Sequence, residues 1–169
     1  MKEPKTKVLL VCLGNICRSP TAEGVLRKRA DTAGWGRLFE IDSVGTAGYH
    51  IGEPPDLRAQ QHARGRGYDI SRLRGRQLQA DDLRHFDYVL AMDHDNLAGI
   101  QRLHAKTADA RAQVGLFLDY HPERHGQDVP DPYYGGPDGF ENVLDLVEAA
   151  SDGFIKAVLK KQGLLGCGC

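Results

Sequence analysis

Short apolar runs alternate along the chain with segments in which apolar residues recur every three or four positions. The first run, Lys7 to Cys12, is apolar and rich in β-branched residues, as expected for a strand buried on both faces of a parallel sheet. Three later runs predict further strands over Phe39–Val44, Phe86–Met92 and Val114–Leu118. The chain therefore supplies four candidate strands.

Helical segments separate these strands. Ser19-Pro20 begins the first of them and predicts a helix through Ala30, with Ser19 as the N-cap and Pro20 at the first helical position. Helical spacing of apolar residues predicts three more helices, over Pro55–Arg66, Asp93–Leu103 and Asp138–Lys161. Because strands alternate with helices, the pattern predicts a doubly wound α/β fold with a parallel sheet.

Composition and charge narrow the class of protein. The 169 residues predict one domain, with a core over about 7–161 and a flexible tail over 163–169. A net charge of −1 gives no overall attraction to nucleic acid, and no apolar run is long enough to cross a membrane. The polar segment Met1–Lys7 shows no signal-peptide pattern, so we expect a cytoplasmic protein.

Four cysteines lie at the two ends of the chain, at Cys12, Cys17, Cys167 and Cys169. A secreted disulfide scaffold would distribute its cysteines through a shorter chain, so this placement indicates reduced thiols. We therefore expect cysteine chemistry rather than disulfide bonds.

The loop between the first strand and the first helix carries the strongest chemical signal. Cys12 ends the strand, and a helix N-terminus with its free N–H groups favours anions such as a thiolate or a phosphate. The planar guanidinium of Arg18 can bind two phosphate oxygens while Cys12 attacks the phosphorus to form a phosphocysteine. Ser19 can donate to the sulfur, and Asn15 can hold the loop in a left-handed conformation.

A second long loop, from His121 to Gly139, supplies a candidate acid. A phenolate leaving group needs a proton at neutral pH, and Asp131 in an Asp-Pro-Tyr-Tyr segment can provide it. Asp128 is the alternative acid. A local Asp-Pro turn without catalytic function also fits Asp131.

The stretch from Cys12 to Glu23 resembles the phosphate loop of the low-molecular-weight protein tyrosine phosphatases, and the resemblance covers roughly Lys7 to Lys161. It implies that Cys12 is the nucleophile, that Arg18 binds phosphate and that Asp131 is the general acid. It also implies a set of substrate-binding residues, with Ser43 supporting the loop. The implied substrate-binding residues are Leu13, Gly14, Asn15, Ile16, Cys17, Ser19, Tyr49, Tyr133 and Tyr134.

Fold and partners complete this set of expectations. We expect three layers, with helices on both faces of a four-stranded parallel sheet in the order 2-1-3-4. The resemblance implies hydrolysis of phosphotyrosine in proteins, a tyrosine autokinase among them, with inorganic phosphate as product. It implies no cofactor and no metal, and we expect neither a nucleic-acid nor a membrane partner.

One position departs from the family pattern. Many family members carry a histidine that supports the phosphate-loop asparagine, whereas this chain has Leu73 at that position. The departure puts the usual support of Asn15 in doubt. Cys17 is open to two interpretations, since it can form a protective disulfide with Cys12 or remain a buried, inert thiol.

Several rival functions fit the sequence less well. A phosphotyrosine-binding module without activity would need neither Cys12 nor Asp131, and an arsenate reductase would need a relay cysteine in the middle of the chain. A protein-arginine phosphatase typically carries threonine where Ile16 stands.

Two weaker signals are better explained by a solvated surface. The arginines from Arg58 to Arg76 suggest nucleic-acid binding only weakly, and the pair His121 and His125 suggests a zinc site only weakly.

Overall fold

The structure is a computed structural model that describes residues 5–133 and 136–165. Its centre is a parallel sheet of four strands, β1 (Thr6–Cys12), β2 (Phe39–Gly45), β3 (Tyr88–Ala91) and β4 (Gln113–Leu116). The strands lie in the order β2-β1-β3-β4, and every pairing is parallel. The predicted order 2-1-3-4 is therefore confirmed.

Helices cover both faces of the sheet. They are α1 (Arg18–Thr32), α2 (Leu57–Gly65), α3 (Ala80–His85), α4 (His94–Ala105) and α5 (Pro137–Lys161), with short 3-10 turns at Gly36–Leu38 and Phe117–Tyr120. One core cluster joins the sheet to α1, α2 and α5, and a second joins it to α3 and α4. The predicted three-layer α/β architecture is thus confirmed.

Strand β1 explains why the loop that follows Cys12, whose sequence resembles a phosphate loop, lies at the centre of the molecule. Val8 and Leu10 pack into the cluster of α1 and α5, whereas Leu9 and Val11 pack into that of α3 and α4. All four side chains are 0% exposed, which accounts for the continuous apolar run in the sequence. Because β1 lies between two strands, the loop that follows it emerges at the middle of the carboxyl edge, where α/β folds bind ligands.

Several elements differ from the prediction in their boundaries, and one was not predicted at all. Helix α2 begins at Leu57 rather than Pro55, because the Asp56 carboxylate accepts a hydrogen bond from the Arg58 N–H and caps the helix. Strand β4 ends at Leu116, where the chain enters a 3-10 turn. Helix α3 was not predicted, since its six residues are too short to show a helical period.

The start of α1 was also predicted wrongly. The helix begins at Arg18, so Cys17 rather than Ser19 occupies the N-cap position, and Pro20 is the third helical residue. The Ser19 hydroxyl lies against the Cys12 sulfur instead of capping the helix. From the sequence alone, a serine before a proline is compatible with a helix N-cap and with a place inside the first turn. Only the folded structure shows that Ser19 takes the second place.

The carboxyl end of α5 closes on the core. Gly163 adopts a left-handed φ of 72°, and the N–H of Leu164 donates to the Leu159 carbonyl over 2.9 Å, as in a Schellman cap. Leu165 packs against the core cluster.

Cys167 and Cys169 lie outside the described residues, and the flexible tail stays a prediction. None of the helices that the structure describes combines the length and apolarity needed to cross a membrane.

Candidate active site

The loop after β1 folds back over the Cys12 sulfur. The backbone N–H of Asn15 points at Sγ from 3.3 Å, and the Ser19 Oγ lies 3.0 Å from it. Cys12 is 3% exposed and faces the start of α1, whose first N–H groups have no partner within the helix. Donors in this arrangement stabilise negative charge on the sulfur or on an oxyanion bound above it.

Asn15 holds the loop through every polar atom of its side chain. Its Nδ2 donates to Ser19 Oγ over 2.7 Å and to Ser43 Oγ over 3.0 Å, and its Oδ1 accepts from the Arg76 N–H over 3.0 Å. Its φ of 59° lies in the left-handed region, which asparagine tolerates better than most residues. Leu73 makes none of these bonds and packs against the core. The amide is therefore fully satisfied without a histidine at position 73.

The direction of these hydrogen bonds limits where the hydroxyl proton of Ser19 can point. Because Asn15 donates to Ser19 Oγ, the Ser19 hydroxyl proton must point elsewhere. Two acceptors lie within reach, the Cys12 sulfur at 3.0 Å and the Val44 carbonyl at 3.3 Å. Ser19 can thus donate to the sulfur while Asn15 holds its oxygen in place.

A buried carboxylate supports Ser43 from behind. Glu23, 4% exposed, accepts from Ser43 Oγ over 2.7 Å and from Arg27 Nη2 over 2.9 Å. Burial raises the pKa of Glu23, and the hydrogen bonds from Ser43 and Arg27 oppose the rise only in part. A chain of hydrogen bonds consequently runs from α1 through β2 to the sulfur, by way of Glu23, Ser43, Asn15 and Ser19.

We expect replacement of Asn15 with alanine to destabilise the fold by about 2–3 kcal/mol, since it removes buried hydrogen bonds and leaves at positive φ a residue that tolerates this conformation less well than asparagine. Asn15→Gly loses the same bonds without the backbone strain and should be about 1 kcal/mol more stable than Asn15→Ala. Urea denaturation of the two variants measures both effects. Equal stability of the alanine and glycine variants would contradict the strain argument.

The hydrogen bonds that hold the Arg18 guanidinium among the described residues are made by Nη1. Its Nη1 donates to the Asp93 carboxylate over 2.6 Å and to the Val129 carbonyl over 3.0 Å, while Nη2 lies 3.7 Å from the Asp131 carboxylate. The residue is 3% exposed. Burial alone would lower the pKa of Arg18, but the neighbouring Cys12 sulfur and Asp93 carboxylate raise it above its usual value. A permanently charged guanidinium edge, Nε and Nη2, is left to bind an oxyanion.

Cys12 lines a cavity of about 180 Å³. Its lining contains most of the residues predicted from the sequence, together with His50. The lining residues are Cys12, Leu13, Gly14, Ile16, Cys17, Arg18, Tyr49, His50, Asp131 and Tyr133. The Asp131 side chain is 39% exposed at the rim, and Tyr49 is 74% exposed, so both are accessible to a ligand.

Other predicted site residues lie away from this cavity or outside the described chain. The Asp128 carboxylate accepts from the backbone N–H of His94 over 3.0 Å and is not part of the lining, so it does not share the position of Asp131. Tyr134 lies outside the described residues. Asn15, Ser19 and Ser43 lie behind the loop rather than in the lining.

Three site residues were missed in the sequence. His50 lies over the phosphate loop, where its Cδ2 is 3.0 Å from the position of a Cβ on Gly14, and its Nδ1 pairs with Glu53. Asp93 entered the prediction only as the first residue of a helix, whereas in the structure it caps α4 and also holds Arg18. Arg58 donates to the Tyr133 carbonyl over 3.1 Å and lies over its ring. Of these, only His50 had a local signal, its position next to Tyr49.

Cys17 is a buried free thiol beside the cavity. Burial raises the pKa of this thiol well above its usual range, and the neighbouring side chains of Asp56, Cys12 and Asp131 raise it further. Cys17 is therefore neutral near pH 7 and a poor nucleophile. A disulfide between the two cysteines stays a prediction.

The weaker sequence signals have local explanations. Arg66 pairs with Glu141 and Glu148, and Arg76 pairs with two aspartates, so much of the predicted basic stretch is neutralised. No cluster of metal-ligating side chains occurs among residues 5–133 and 136–165. The His121 Nδ1 accepts a hydrogen bond from the Glu123 N–H, which is typical of a loop.

Comparison with known sequences gives one family. A family model described as low molecular weight phosphotyrosine protein phosphatase matches residues 7–164. A low molecular weight protein-tyrosine-phosphatase of Streptomyces coelicolor is 47% identical over 154 residues, which cover 90% of this chain and 93% of that protein. The low molecular weight phosphotyrosine protein phosphatase of Homo sapiens is 41% identical over 144 residues, covering 85% of this chain and 90% of its own.

Solved structures agree with the sequence comparison. A protein tyrosine phosphatase from Entamoeba histolytica, crystallised with Hepes in its active site, superimposes with a TM-score of 0.85 at 34% identity and covers 95% of this chain and all of its own. A Drosophila arginine phosphatase superimposes with a TM-score of 0.85 at 29% identity, covering 90% of this chain and 98% of its own.

Proposed function

The chain belongs to the low molecular weight phosphotyrosine protein phosphatase family, and from this premise we propose that it hydrolyses phosphotyrosine in proteins through a phosphocysteine intermediate. One observation carries the proposal: Cys12, Arg18 and Asp131 line a single cavity. A nucleophile, an oxyanion-binding cation and a carboxyl group are the three components that this reaction needs.

In the first step the Cys12 thiolate attacks phosphorus. A sulfur–phosphorus bond forms, the phosphorus–oxygen bond to the tyrosine breaks, and the electron pair leaves with the phenolic oxygen, which takes a proton from Asp131. The loop N–H groups and the free edge of Arg18 hold the three remaining phosphoryl oxygens. Asp93 supports this step by fixing the guanidinium from the opposite side.

In the second step water attacks the phosphocysteine. Asp131, now a carboxylate, takes a proton from the water, and the sulfur–phosphorus bond breaks to release inorganic phosphate. The sulfur leaves as a thiolate, and the Ser19 hydroxyl, 3.0 Å away, can donate to it. The same hydroxyl is held by Asn15, so we assign the chain of hydrogen bonds behind the loop to the positioning of this donor.

The shape of the cavity supports selection of phosphotyrosine. Tyr49 and Tyr133 line the cavity above Cys12, and aromatic rings stack favourably on a phenyl ring between them. A phosphoserine side chain is shorter and would leave its phosphate above the loop. We propose phosphotyrosine proteins as substrates, a tyrosine autokinase among them, and a cytoplasmic location where Cys12 stays reduced.

Phosphoarginine is the substrate class that competes most closely. The Drosophila relative is an arginine phosphatase by its description, and it shares the fold. Ile16 lines the cavity of this chain at the position where protein-arginine phosphatases typically carry threonine. This residue supports phosphotyrosine as the preferred substrate.

The test of the proposal is to trap the intermediate. Asp131→Asn enzyme is mixed with p-nitrophenyl phosphate and stopped in alkaline denaturant within milliseconds to seconds, and the peptide that contains Cys12 is analysed by mass spectrometry. Phosphate on Cys12 at early times, followed by its loss, is the expected result. Turnover without phosphorylated Cys12 would refute the covalent route, and binding of phosphotyrosine peptide without turnover would favour a binding module.

We expect Asp131→Asn to affect substrates according to their leaving groups. For phosphotyrosine, whose phenolate needs a proton, kcat/KM should fall by about 10²–10³. For p-nitrophenyl phosphate, which leaves as a stable anion, the loss should be about tenfold or less, because kcat/KM reports only the steps up to phosphocysteine formation. A series of aryl phosphates measures the dependence. Asp128→Asn is the matched control, and an equal loss in that variant would contradict the assignment.

A further inference from the structure

A second cavity, of about 610 Å³, opens on the other side of the phosphate loop. It lies between that loop, the segment after β2, and one face of α4. Its lining residues are Leu13, Thr46, Ala47, Gln77, Leu78, Asp95, Asn96, Ala98, Gly99, Arg102 and Leu103. Among the described residues, only Leu13 lines both cavities, so one exposed side chain of the phosphate loop forms the ridge between them. None of the residues assigned to the reaction above, apart from the loop itself, lines this second cavity.

The wall of the cavity contains an uncommitted buried amide. Asn96 is 3% exposed, and its Oδ1 has no hydrogen-bond partner among the described residues. Buried amide oxygens are almost always bonded, since loss of water without a replacement donor is costly. Because Asn96 lines the cavity and its Oδ1 has no partner among the described residues, an N–H group of a ligand can satisfy this acceptor without displacing an existing bond to it.

Charges are separated along the same helix face. Asp95 and Arg102 both line the cavity and are seven residues apart on α4, which places them about 10 Å from each other along the axis. Arg102 is exposed and forms no ion pair with the described residues. Its Nη2 lies 3.7 Å from the position of a Cβ on Gly99, so the guanidinium covers a part of the cavity that this glycine leaves open. The Arg102 end therefore favours an anionic group.

The cavity is directly coupled to the loop that binds phosphate. The N–H of Thr46 donates to the Cys12 carbonyl over 2.9 Å, and the N–H of Ala47 donates to the Leu13 carbonyl over 3.0 Å. Thr46, Ala47 and Leu13 all line the second cavity. A substrate peptide that extends from the phosphotyrosine site across Leu13 therefore enters the second cavity. There Asn96 can bond its backbone, two leucines can contact its apolar atoms, and Arg102 can pair with an acidic side chain.

We propose that this cavity is a subsite for the polypeptide that flanks phosphotyrosine, with Asn96 bonding the substrate backbone and Arg102 binding an acidic side chain near the phosphotyrosine. The proposal rests on the proposed function, because the phosphotyrosine anchors the peptide above Cys12. It specifies the substrate class further, as phosphotyrosine segments with a glutamate or aspartate on the side of the chain that crosses Leu13.

The main test moves a single glutamate through the positions that flank phosphotyrosine in an otherwise alanine peptide. The quantity measured is kcat/KM for each peptide divided by kcat/KM for free phosphotyrosine. In the wild type we expect glutamate at positions on one side to raise this ratio about fivefold, and the gain should shrink at high salt. Arg102→Gln should remove the gain. Lys156→Gln, which removes an exposed charge from α5, should keep it.

Gly99→Met tests the cavity itself. A Cβ at this position meets only ordinary contacts, 3.4 Å to the Thr46 Cγ2, and the rest of the methionine would occupy the cavity. Glycine is unfavourable inside a helix, so the variant should fold at least as stably as the wild type. The gain from glutamate should vanish. Persistence of the gain in Gly99→Met, or in Arg102→Gln, would overturn the proposal.

Asn96→Leu tests the role assigned to the amide. Removal of an unbonded buried acceptor should leave stability in urea unchanged or increased. The ratio for the all-alanine peptide should fall, because the backbone contact is lost, while the gain from glutamate should remain. An unchanged ratio for this peptide would refute the backbone contact and with it the proposed subsite.

Binding of the same peptides to Cys12→Ser protein separates the two proposals. Wild-type hydrolysis of free phosphotyrosine without any effect of glutamate position would refute the subsite and leave the proposed function intact. Absence of phosphotyrosine hydrolysis, together with no peptide binding to Cys12→Ser, would refute both.

Discussion

Replacement of Cys12 with serine should lower kcat/KM for phosphotyrosine by at least about 10⁴, since removal of a nucleophile from a preorganised site costs losses of this order or more. A serine hydroxyl stays protonated at neutral pH and is a far weaker nucleophile than a thiolate. The fold should survive, because the oxygen can accept from the Asn15 N–H and meet Ser19 as the sulfur does. Initial rates with a phosphotyrosine peptide, and urea denaturation, measure the two effects.

Two comparisons make this result specific to Cys12. The Cys12→Ser protein should still bind phosphotyrosine peptide, because Arg18 and the loop N–H groups are unchanged. Cys17→Ser should lose less than about tenfold in kcat/KM, since burial keeps this thiol neutral and outside the reaction. Activity of Cys12→Ser above about one hundredth of wild type, or a loss in Cys17→Ser that equals it, would contradict the assignment of the nucleophile.

The fold was predictable where the sequence signal is local and long. The apolar run that ends at Cys12 identifies a strand buried on both faces, and the structure confirms it. Helix α5 shows its apolar residues at helical spacing over seven turns and was predicted to within one residue of its start. Helix α3 has only six residues and two buried side chains, so no periodic signal existed to identify it.

The candidate site also contains a part that the local sequence predicts and a part that it does not. Cys12, Asn15, Arg18 and Ser19 lie within eight residues, and a strand followed by a loop and a helix N-terminus is itself a prediction of anion binding. The partners that orient them lie far away in sequence. Asp93 is 75 residues from Arg18, and Arg76 is 61 residues from Asn15. Neither partner has a local pattern that indicates these bonds, so only the folded chain reveals them.

At position 73 this chain has leucine where many family members have histidine, and the bond from Arg76 to Asn15 changes what that difference means. The sequence put the support of Asn15 in doubt, because the usual histidine is missing. In the structure the backbone N–H of Arg76 bonds Asn15 Oδ1, while Ser43 and Glu23 continue the network on the other side. A backbone donor is independent of the side chain at position 73, which explains how leucine can be accommodated there.

Arg18→Lys should lower kcat/KM for phosphotyrosine by about 10³, a loss typical of removing an oxyanion-stabilising group. Lysine keeps the charge but has a single ammonium group, whereas Arg18 binds Asp93 and Val129 through Nη1 and, in the proposed reaction, keeps Nε and Nη2 for phosphate. The ammonium would pair with Asp93 and leave the phosphoryl oxygens without a partner. Asp93→Asn, which keeps the arginine and a neutral acceptor, should lose only about tenfold. A loss below tenfold in Arg18→Lys would mean that charge alone, rather than the planar two-donor edge, stabilises the transferring phosphoryl group.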